Sequence, residues 1–340
     1  MNPNPSLPAV RRSITVAVGM LALALFLATT GPAETTAPAK RIPVVLTTDI
    51  GGDIDDTWAL GFLLKSPELD LKLALGDFGR PEYRAKLLAK FLERAGRGDI
   101  PVGLGIDKAK APAPERQAAW IENYDLARYP GKVHRDGIQA MIDLIMQSPE
   151  PITVIVIGPT PNMAAALERE PRIAERARFV GMEGSVRLGY NGKSIPVAEW
   201  NVRADPQACQ KAFTAPWEMI ITPLDTCGLV DLTGEKYRRI RDSRDPISVA
   251  IMENYRAWQV QKTNSEDTKP EIRSTTLFDA VAVYLAFDQS LCHMETLGIR
   301  VTDDGFTVID PEAKKMSVAT SWKDLGAFED LLVARLTGVK

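Results

Sequence analysis

Apolar and β-branched residues gather in short continuous runs along the chain, and segments with helical periodicity separate these runs. A run of about four to eight such residues between turn-forming residues is typical of a strand that is buried on both faces. We therefore predict one strand at each run: Ile42–Thr48, Leu71–Leu75, Val102–Leu104, Ile152–Ile157, Phe179–Met182 and Met219–Thr222.

The segments between the runs place apolar side chains at the spacing of an amphipathic helix. Pro81–Ala95 begins with proline and ends before Gly96, Asp136–Gln147 repeats the spacing, and the charged stretch 242–269 is also predicted to be helical. Alternating strands and helices indicate an α/β fold with a mostly parallel central sheet and helices on both faces. Because no repeat or linker divides the remainder, residues 34–340 are predicted to form a single domain.

The N-terminus has the composition of a targeting segment. Arg11 and Arg12 precede an uncharged apolar run, Ser13–Ala28, and small residues follow up to Ala33. This order is typical of a secretory signal peptide, which we predict over residues 1–33. The expected mature protein is exported, periplasmic or secreted, with no stable membrane association after cleavage, and an uncleaved anchor stays as the alternative. The run is short for a membrane span.

Composition narrows the classes of partner. The 340 residues carry 41 basic and 44 acidic side chains, for a net charge of −3, which argues against a nucleic-acid partner. Three Cys and two His are too few for a disulfide scaffold or a His/Cys metal site. Any bound metal would therefore take oxygen ligands. The protein is a possible homo-oligomer.

A cluster of carboxylates follows the first predicted strand. Asp49, Asp53, Asp55 and Asp56 lie within eight residues, just before a helical pattern that starts near Thr57. One or two aspartates at a helix N-terminus are explained by capping, but four would repel one another at short range. A divalent cation relieves that repulsion, and carboxylate oxygens are ligands that Ca²⁺ and Mg²⁺ prefer.

An alternative treats Asp49 as a phosphoryl-accepting nucleophile. Phosphatases of that kind usually carry a second aspartate two positions later, where this chain has Gly51. The metal-binding interpretation is therefore favoured.

Four segments of the chain together form a recognisable series: Asp49–Leu60, Ile157–Ala164, Pro196–Val202 with Asp205-Pro206, and Asp279–Ala282. In these segments, and in their order, the chain resembles the inosine-uridine-preferring nucleoside hydrolases. The resemblance extends from Arg41 to about Ala286. It implies a Rossmann-like nucleoside hydrolase fold, a ribonucleoside as the small-molecule substrate, and Ca²⁺ as the cofactor.

The resemblance also assigns the metal ligands and the base. Carried over residue by residue, Ca²⁺ would be held by Asp49, Asp56, the backbone carbonyl of Ile157 and Asp279. Asp49 would contact both the metal and the attacking water, so it is the implied general base. The implied reaction is hydrolysis of the N-glycosidic bond through an oxocarbenium-like transition state, which a pocket dense in carboxylates would stabilise.

Five further residues are implied as sugar-binding groups. Asp55, Glu199 and Asn201 would bind ribose hydroxyls. Asp77 stands where many members carry an asparagine that contacts the sugar. Asn191 lies near another sugar-binding asparagine of the family, and a turn-forming role for it is an equal alternative.

The first loop departs from the family pattern. Thr47 replaces the first aspartate, and the spacing from Asp49 to Asp55-Asp56 is two residues longer, with Asp53 added. Asp53 could replace Asp55 at the ribose or Asp56 at the metal.

The residues expected near the leaving group depart further from the family pattern. Some members place histidine just before the late aspartate, to protonate the departing purine or line its pocket, and this chain has Phe278 there. Tyr190 and Tyr255 are alternative proton donors, although packing explains both. Loss of a general acid costs about 10²–10⁴ in rate. A Ca²⁺-dependent ribose or nucleoside binder without efficient catalysis, and a hydrolase of another glycoside, are therefore kept as alternatives.

Overall fold

A computed structural model describes residues 40–107, 114–263 and 269–338 of the chain. The predicted signal peptide over residues 1–33 lies outside these ranges. None of the helices in the described ranges is long and apolar enough to cross a membrane.

The described residues form a ten-stranded sheet in the order β4-β3-β2-β1-β5-β6-β7-β10-β8-β9. Neighbouring strands from β4 to β10 run parallel, and β8 pairs antiparallel with both β10 and β9. The predicted α/β fold with a mostly parallel sheet is confirmed. The strands are β1 Ile42–Thr48, β2 Leu69–Gly76, β3 Val102–Gly103, β4 Val133–His134, β5 Ile152–Ile157, β6 Ala177–Met182, β7 Met219–Thr222, β8 Cys292–Val301, β9 Thr307–Ile309 and β10 Lys315–Trp322.

Helices cover both faces of this sheet. In β1, Val44 and Leu46 pack into the core on one face, whereas Val45 packs into the core on the other. This alternation explains why β1 is apolar at consecutive positions. The helices are α1 Asp55–Leu64, α2 Pro81–Arg94, α3 Gly137–Gln147, α4 Pro161–Arg169, α5 Ile173–Arg176, α6 Trp200–Ala204, α7 Pro206–Thr214, α8 Gly234–Arg241, α9 Pro246–Thr263, α10 Lys269–Ile272, α11 Phe278–Leu285 and α12 Leu325–Thr337.

The carboxyl ends of the central strands meet at one edge of the sheet. Thr48, the last residue of β1, lies in register with Gly76 at the end of β2 and with Ile157 at the end of β5. Helices α1 and α11 pack against each other beside this edge. In open parallel sheets, ligands bind outside the carboxyl ends of the strands. The topology therefore places the residues after β1, β2, β5 and β6 where a ligand site is expected.

Candidate active site

A cavity of about 370 Å³ opens at this edge of the sheet. Its volume falls in the range of small-molecule sites. Seven residues assigned from the sequence line the cavity together: Asp49, Asp55, Asp56, Ile157, Glu199, Asn201 and Asp279.

Three of these residues form a compact carboxylate cluster. Asp55 and Asp56 lie in the first turn of α1, and Asp279 lies in the first turn of α11. One carboxylate oxygen from each lies within 4.8 Å of the others, and the three residues are only 5%, 2% and 3% exposed. Asp279 comes more than two hundred positions after Asp56, so the packing of α11 on α1 creates the cluster. Capping of the two helix N-termini would not by itself require the three carboxylates to lie so close together.

The charge of the cluster is poorly compensated by protein groups. Burial raises the pKa of Asp55, Asp56 and Asp279 well above the usual range, and the charges of neighbouring aspartates raise it further. The Thr48 hydroxyl donates a hydrogen bond to Asp56 and opposes the shift only in part. Since buried carboxylates with this much mutual repulsion favour either protons or a cation, the donor set fits a hard divalent metal ion.

Asp49 lies on the same cavity but outside the compact cluster. It follows the last residue of β1, and a Cβ at Gly158 would lie only 2.8 Å from its backbone nitrogen. Glycine at that position therefore allows β1 and the end of β5 to approach closely. Burial raises the pKa of Asp49, and the positive charge of Arg84 opposes the rise. Asp49 thus lines the cavity with a buried carboxyl group, and in its ionised form this group can accept a proton.

Donors from two helices fix the loop between Asp49 and α1. The guanidinium of Arg84 donates to the Ile50 carbonyl at 2.8 Å, and the Tyr83 hydroxyl donates to the Gly51 carbonyl at 3.2 Å. Trp258 of α9 donates through its indole nitrogen to the Gly52 carbonyl at 3.3 Å. Gly51 has φ +100°, and a Cβ there would lie 2.5 Å from the Tyr83 ring. The loop is therefore held by groups that the sequence analysis did not identify.

Glu199 and Asn201 also line the cavity. Glu199 caps α6, because its carboxylate accepts from the backbone nitrogens of Asn201 and Val202 at 2.9 and 3.3 Å and from Gly184 at 3.0 Å. The Asn201 amide donates to the Met182 carbonyl at 3.0 Å. Burial raises the pKa of Glu199 to about 7, against the effect of these backbone donors. Both side chains are held in place, as a sugar-binding surface requires.

Two of the implied sugar-binding residues are not on the cavity. Asp77 is buried behind its wall, where both of its oxygens are hydrogen-bonded within the protein. Asn191 is exposed and adopts a left-handed conformation, with φ 59°, in the turn Tyr190–Gly192. For Asn191 the structure fits the turn-forming alternative, because asparagine tolerates this conformation better than most residues.

Asp53 is exposed at the rim of the cavity. Its carboxylate accepts from the backbone nitrogen of Ile54 at 2.8 Å, whereas Asp55 and Asp56 both belong to the buried cluster. The two added residues therefore enlarge the loop at its rim without displacing Asp55 or Asp56 from the cluster.

Glu183 was not identified from the sequence. It follows β6, is fully buried, and has no hydrogen-bond partner for either carboxylate oxygen within the described part of the chain. Burial raises its pKa well above the usual range, and the charges of Glu199, Asp77 and Asp49 act in the same direction. A single glutamate in an ordinary strand-to-loop sequence carries no signal that could have marked it.

The chain is similar to known proteins in sequence. The family model of the inosine-uridine preferring nucleoside hydrolases matches residues 44–329. The pyrimidine-specific ribonucleoside hydrolase RihA of Citrobacter koseri is 28% identical over 230 residues, which cover 62% of this chain and 69% of that protein. "Probable uridine nucleosidase 2" of Arabidopsis thaliana is 25% identical over 308 residues, covering 85% of this chain and 92% of that protein.

Solved structures share the fold. The plant nucleoside hydrolase PpNRh1 matches with a TM-score of 0.72 and 25% identity, over 88% of this chain and 99% of that chain. An inosine-uridine preferring nucleoside hydrolase from Bacillus anthracis matches with a TM-score of 0.70 at 20% identity, over 88% and 100% of the two chains. The resemblance predicted from the four sequence segments is thus confirmed: the chain belongs to the inosine-uridine preferring nucleoside hydrolase family and is a hydrolase of N-glycosyl bonds in ribonucleosides.

Proposed function

We propose that the protein is a Ca²⁺-dependent ribonucleoside hydrolase in which Asp49 is the general base. The observation that carries this proposal is the shared cavity: the buried cluster of Asp55, Asp56 and Asp279 and the carboxyl group of Asp49 face one space. Three close carboxylates with little protein compensation fit a hard divalent cation, and an exported protein would meet abundant Ca²⁺.

The ligands of that ion would be Asp49, Asp56, the Ile157 carbonyl and Asp279. When bound, Ca²⁺ would act as a Lewis acid that favours hydroxide character in water and binds vicinal hydroxyls. Asp55, the third member of the cluster, would accept a hydrogen bond from a ribose hydroxyl held there. Glu199 and Asn201, which line the same cavity, would orient the rest of the sugar.

The protein's own residues then suit the charge changes of the reaction. Asp49 accepts a proton from the attacking water, while the ribosyl group gains positive charge at C1′ and the ring oxygen. Fixed carboxylates close to the sugar stabilise this charge without having to reorganise. No covalent intermediate is needed.

The experiment is turnover of a nucleoside panel by the purified protein, in Ca²⁺ and in excess EGTA. Uridine and cytidine belong in the panel with inosine, since the two relatives described above are named for pyrimidine substrates. Ribose release should require Ca²⁺ and should return when Ca²⁺ is restored. D49N should lower kcat by about 10³-fold with an unchanged circular dichroism spectrum. Full turnover by protein shown to be free of Ca²⁺ would contradict the proposal.

Phe278 supports a second candidate function. Its ring lines the cavity beside Asp279 and cannot donate a proton to a departing base. A Ca²⁺-dependent nucleoside-binding protein with little catalysis would bind inosine or uridine and release no ribose. A nitrophenyl riboside separates the two functions, because its leaving group needs little protonation. A hydrolase should cleave the nitrophenyl riboside even if it cleaves nucleosides poorly, whereas a binding protein should cleave neither.

We also propose that residues 1–33 direct export and are removed. Expression of the full-length chain followed by mass spectrometry of the exported protein should find Glu34 at the N-terminus. A protein that keeps residues 1–33 in the membrane fraction would support the uncleaved anchor instead.

A further inference from the structure

One of the residues that line the cavity is a tyrosine, Tyr190. Tyr190 is half-buried, and its ring meets Phe278 edge-on, with ring centroids 6.0 Å apart and an interplanar angle of 89°. Phe278 immediately precedes Asp279 of the carboxylate cluster. The contact therefore fixes the tyrosine next to the space where a bound riboside would lie.

The Tyr190 hydroxyl has a proton to donate. Its oxygen accepts a hydrogen bond from the Trp200 backbone nitrogen at 3.0 Å, so the hydroxyl proton is not used in that contact. Within the described ranges the hydroxyl has no acceptor for this proton. Burial raises the pKa of Tyr190, and the negative charge of Glu199 raises it further, which keeps the hydroxyl protonated.

Other cavity groups are less suited to donate. The aspartates of the cluster would be ionised with Ca²⁺ bound, and both Glu199 oxygens already accept from backbone nitrogens. Phe278 has no polar atom. The guanidinium of Arg84 is committed to backbone carbonyls, with bonds of 2.9, 2.8 and 3.0 Å to Gly79, Ile50 and Phe78. Arg116 donates through Nη1 to the Gly52 carbonyl at 3.0 Å, and it is the rival donor at the rim.

We propose that the Tyr190 hydroxyl donates a hydrogen bond to the leaving base as the N-glycosidic bond of the riboside breaks; this inference rests on the proposed function. Water attacks C1′ and loses a proton to Asp49, and the electron pair of the C1′–N bond goes to the base. The hydroxyl keeps its own proton and stabilises the negative charge that develops on the base. The base then takes a proton from solvent, and Asp49 returns one to solvent, so that each turnover consumes one water.

The test compares wild type, Y190F and two controls on uridine, inosine and 4-nitrophenyl riboside. Y190F keeps the ring against Phe278 and removes only the hydroxyl. It should lower kcat/KM for the nucleosides by about 10²-fold, the usual effect of losing one donor to developing charge. The nitrophenyl riboside should change by no more than about threefold, since its leaving group carries negative charge unaided. Ca²⁺ affinity, measured by calorimetry, should be unchanged.

Y124F is the matched control, because the Tyr124 hydroxyl bonds to Glu93 away from the cavity. R116Q tests the rival donor. The inference would be overturned if Y190F lost kcat/KM equally on all substrates or lost none. It would also be overturned if only R116Q showed a loss of kcat/KM that is selective for the nucleosides. A wild type that cleaves none of the substrates would contradict the proposed function itself, whereas an active wild type with an unaffected Y190F would contradict this inference only.

Discussion

The Thr47 hydroxyl donates a hydrogen bond of 2.8 Å to the Asp77 carboxylate, and both side chains are buried. Thr47 lies on β1, and Asp77 directly follows β2, its neighbour in the sheet. The other Asp77 oxygen accepts from the backbone nitrogens of Phe78 and Asn162 at 2.7 and 3.3 Å. Where the family pattern has an aspartate, Thr47 thus supplies a donor to a buried carboxyl group. Burial nevertheless raises the pKa of Asp77 to about 8.

This shift predicts how stability depends on pH. Because the pKa of Asp77 is higher in the folded than in the unfolded chain, the folded state holds a proton that the unfolded state releases above about pH 4. The stabilising contribution is complete below that pH, declines as pH rises, and is gone above about pH 8. In EGTA, the unfolding free energy of the wild type should fall as pH rises through this window. In D77N the fall should be shallower, by up to about 1.4 kcal/mol per pH unit.

Urea unfolding from pH 5 to 9 measures this effect. The surface variant D143N is the control, because Asp143 is exposed on α3. Equal pH slopes in D77N and wild type would show that Asp77 titrates alike in the folded and unfolded chains.

Ca²⁺ should stabilise the folded protein through the carboxylate cluster. An ion that binds only the folded state raises the unfolding free energy by about 2.7 kcal/mol at a hundredfold excess over its Kd. Scanning calorimetry should show a higher Tm in Ca²⁺ than in EGTA. D279N should abolish most of this increase, and the exposed variant D53N should keep it. An increase that survives in D279N would place the stabilising ion elsewhere.

Asp53 and Asp55 should differ strongly in function, although they lie two positions apart. Asp55 is buried in the cluster, whereas Asp53 is exposed at the rim. We expect D55N to lower kcat/KM for nucleosides by about 10²-fold or more, as for loss of an interaction with the reacting sugar. D53N should change it by less than about tenfold. Steady-state kinetics of the two variants on one nucleoside decide the question, and the reverse ranking would assign the ribose contact to Asp53.

The parallel part of the fold could be predicted because its signal is local. Strands β1, β5 and β7 coincide with the predicted runs, since strands buried on both faces are made mostly of apolar and β-branched residues. Strands β8 and β10, which pair antiparallel with each other, were not predicted. In β8, buried, half-buried and exposed positions follow one another irregularly, and polar residues are mixed with apolar ones. Periodicity gives little signal for such a strand.

The site could be predicted where residues share a dense motif, and not where only the fold brings them together. Asp49, Asp55 and Asp56 were found through their local density, and Asp279 through its family segment. For Asn191 the position near a motif left sugar binding and turn formation as equal alternatives, and the structure puts it in an exposed turn. Arg84 and Glu183 are single residues of common types. Only packing reveals that Arg84 fixes the loop and that Glu183 is a buried carboxyl group with no hydrogen-bond partner among the residues that the structure describes.

The most direct test of the account is a crystal structure of the wild-type protein with Ca²⁺ and ribose, the sugar that the proposed reaction releases. We predict one ion within about 2.3–2.6 Å of oxygens from Asp49, Asp56, Asp279 and the Ile157 carbonyl, with two ribose hydroxyls on the same ion. Anomalous scattering identifies the ion. A cavity without an ion at saturating Ca²⁺, or a ribose bound away from the Asp55, Asp56 and Asp279 cluster, would contradict the account.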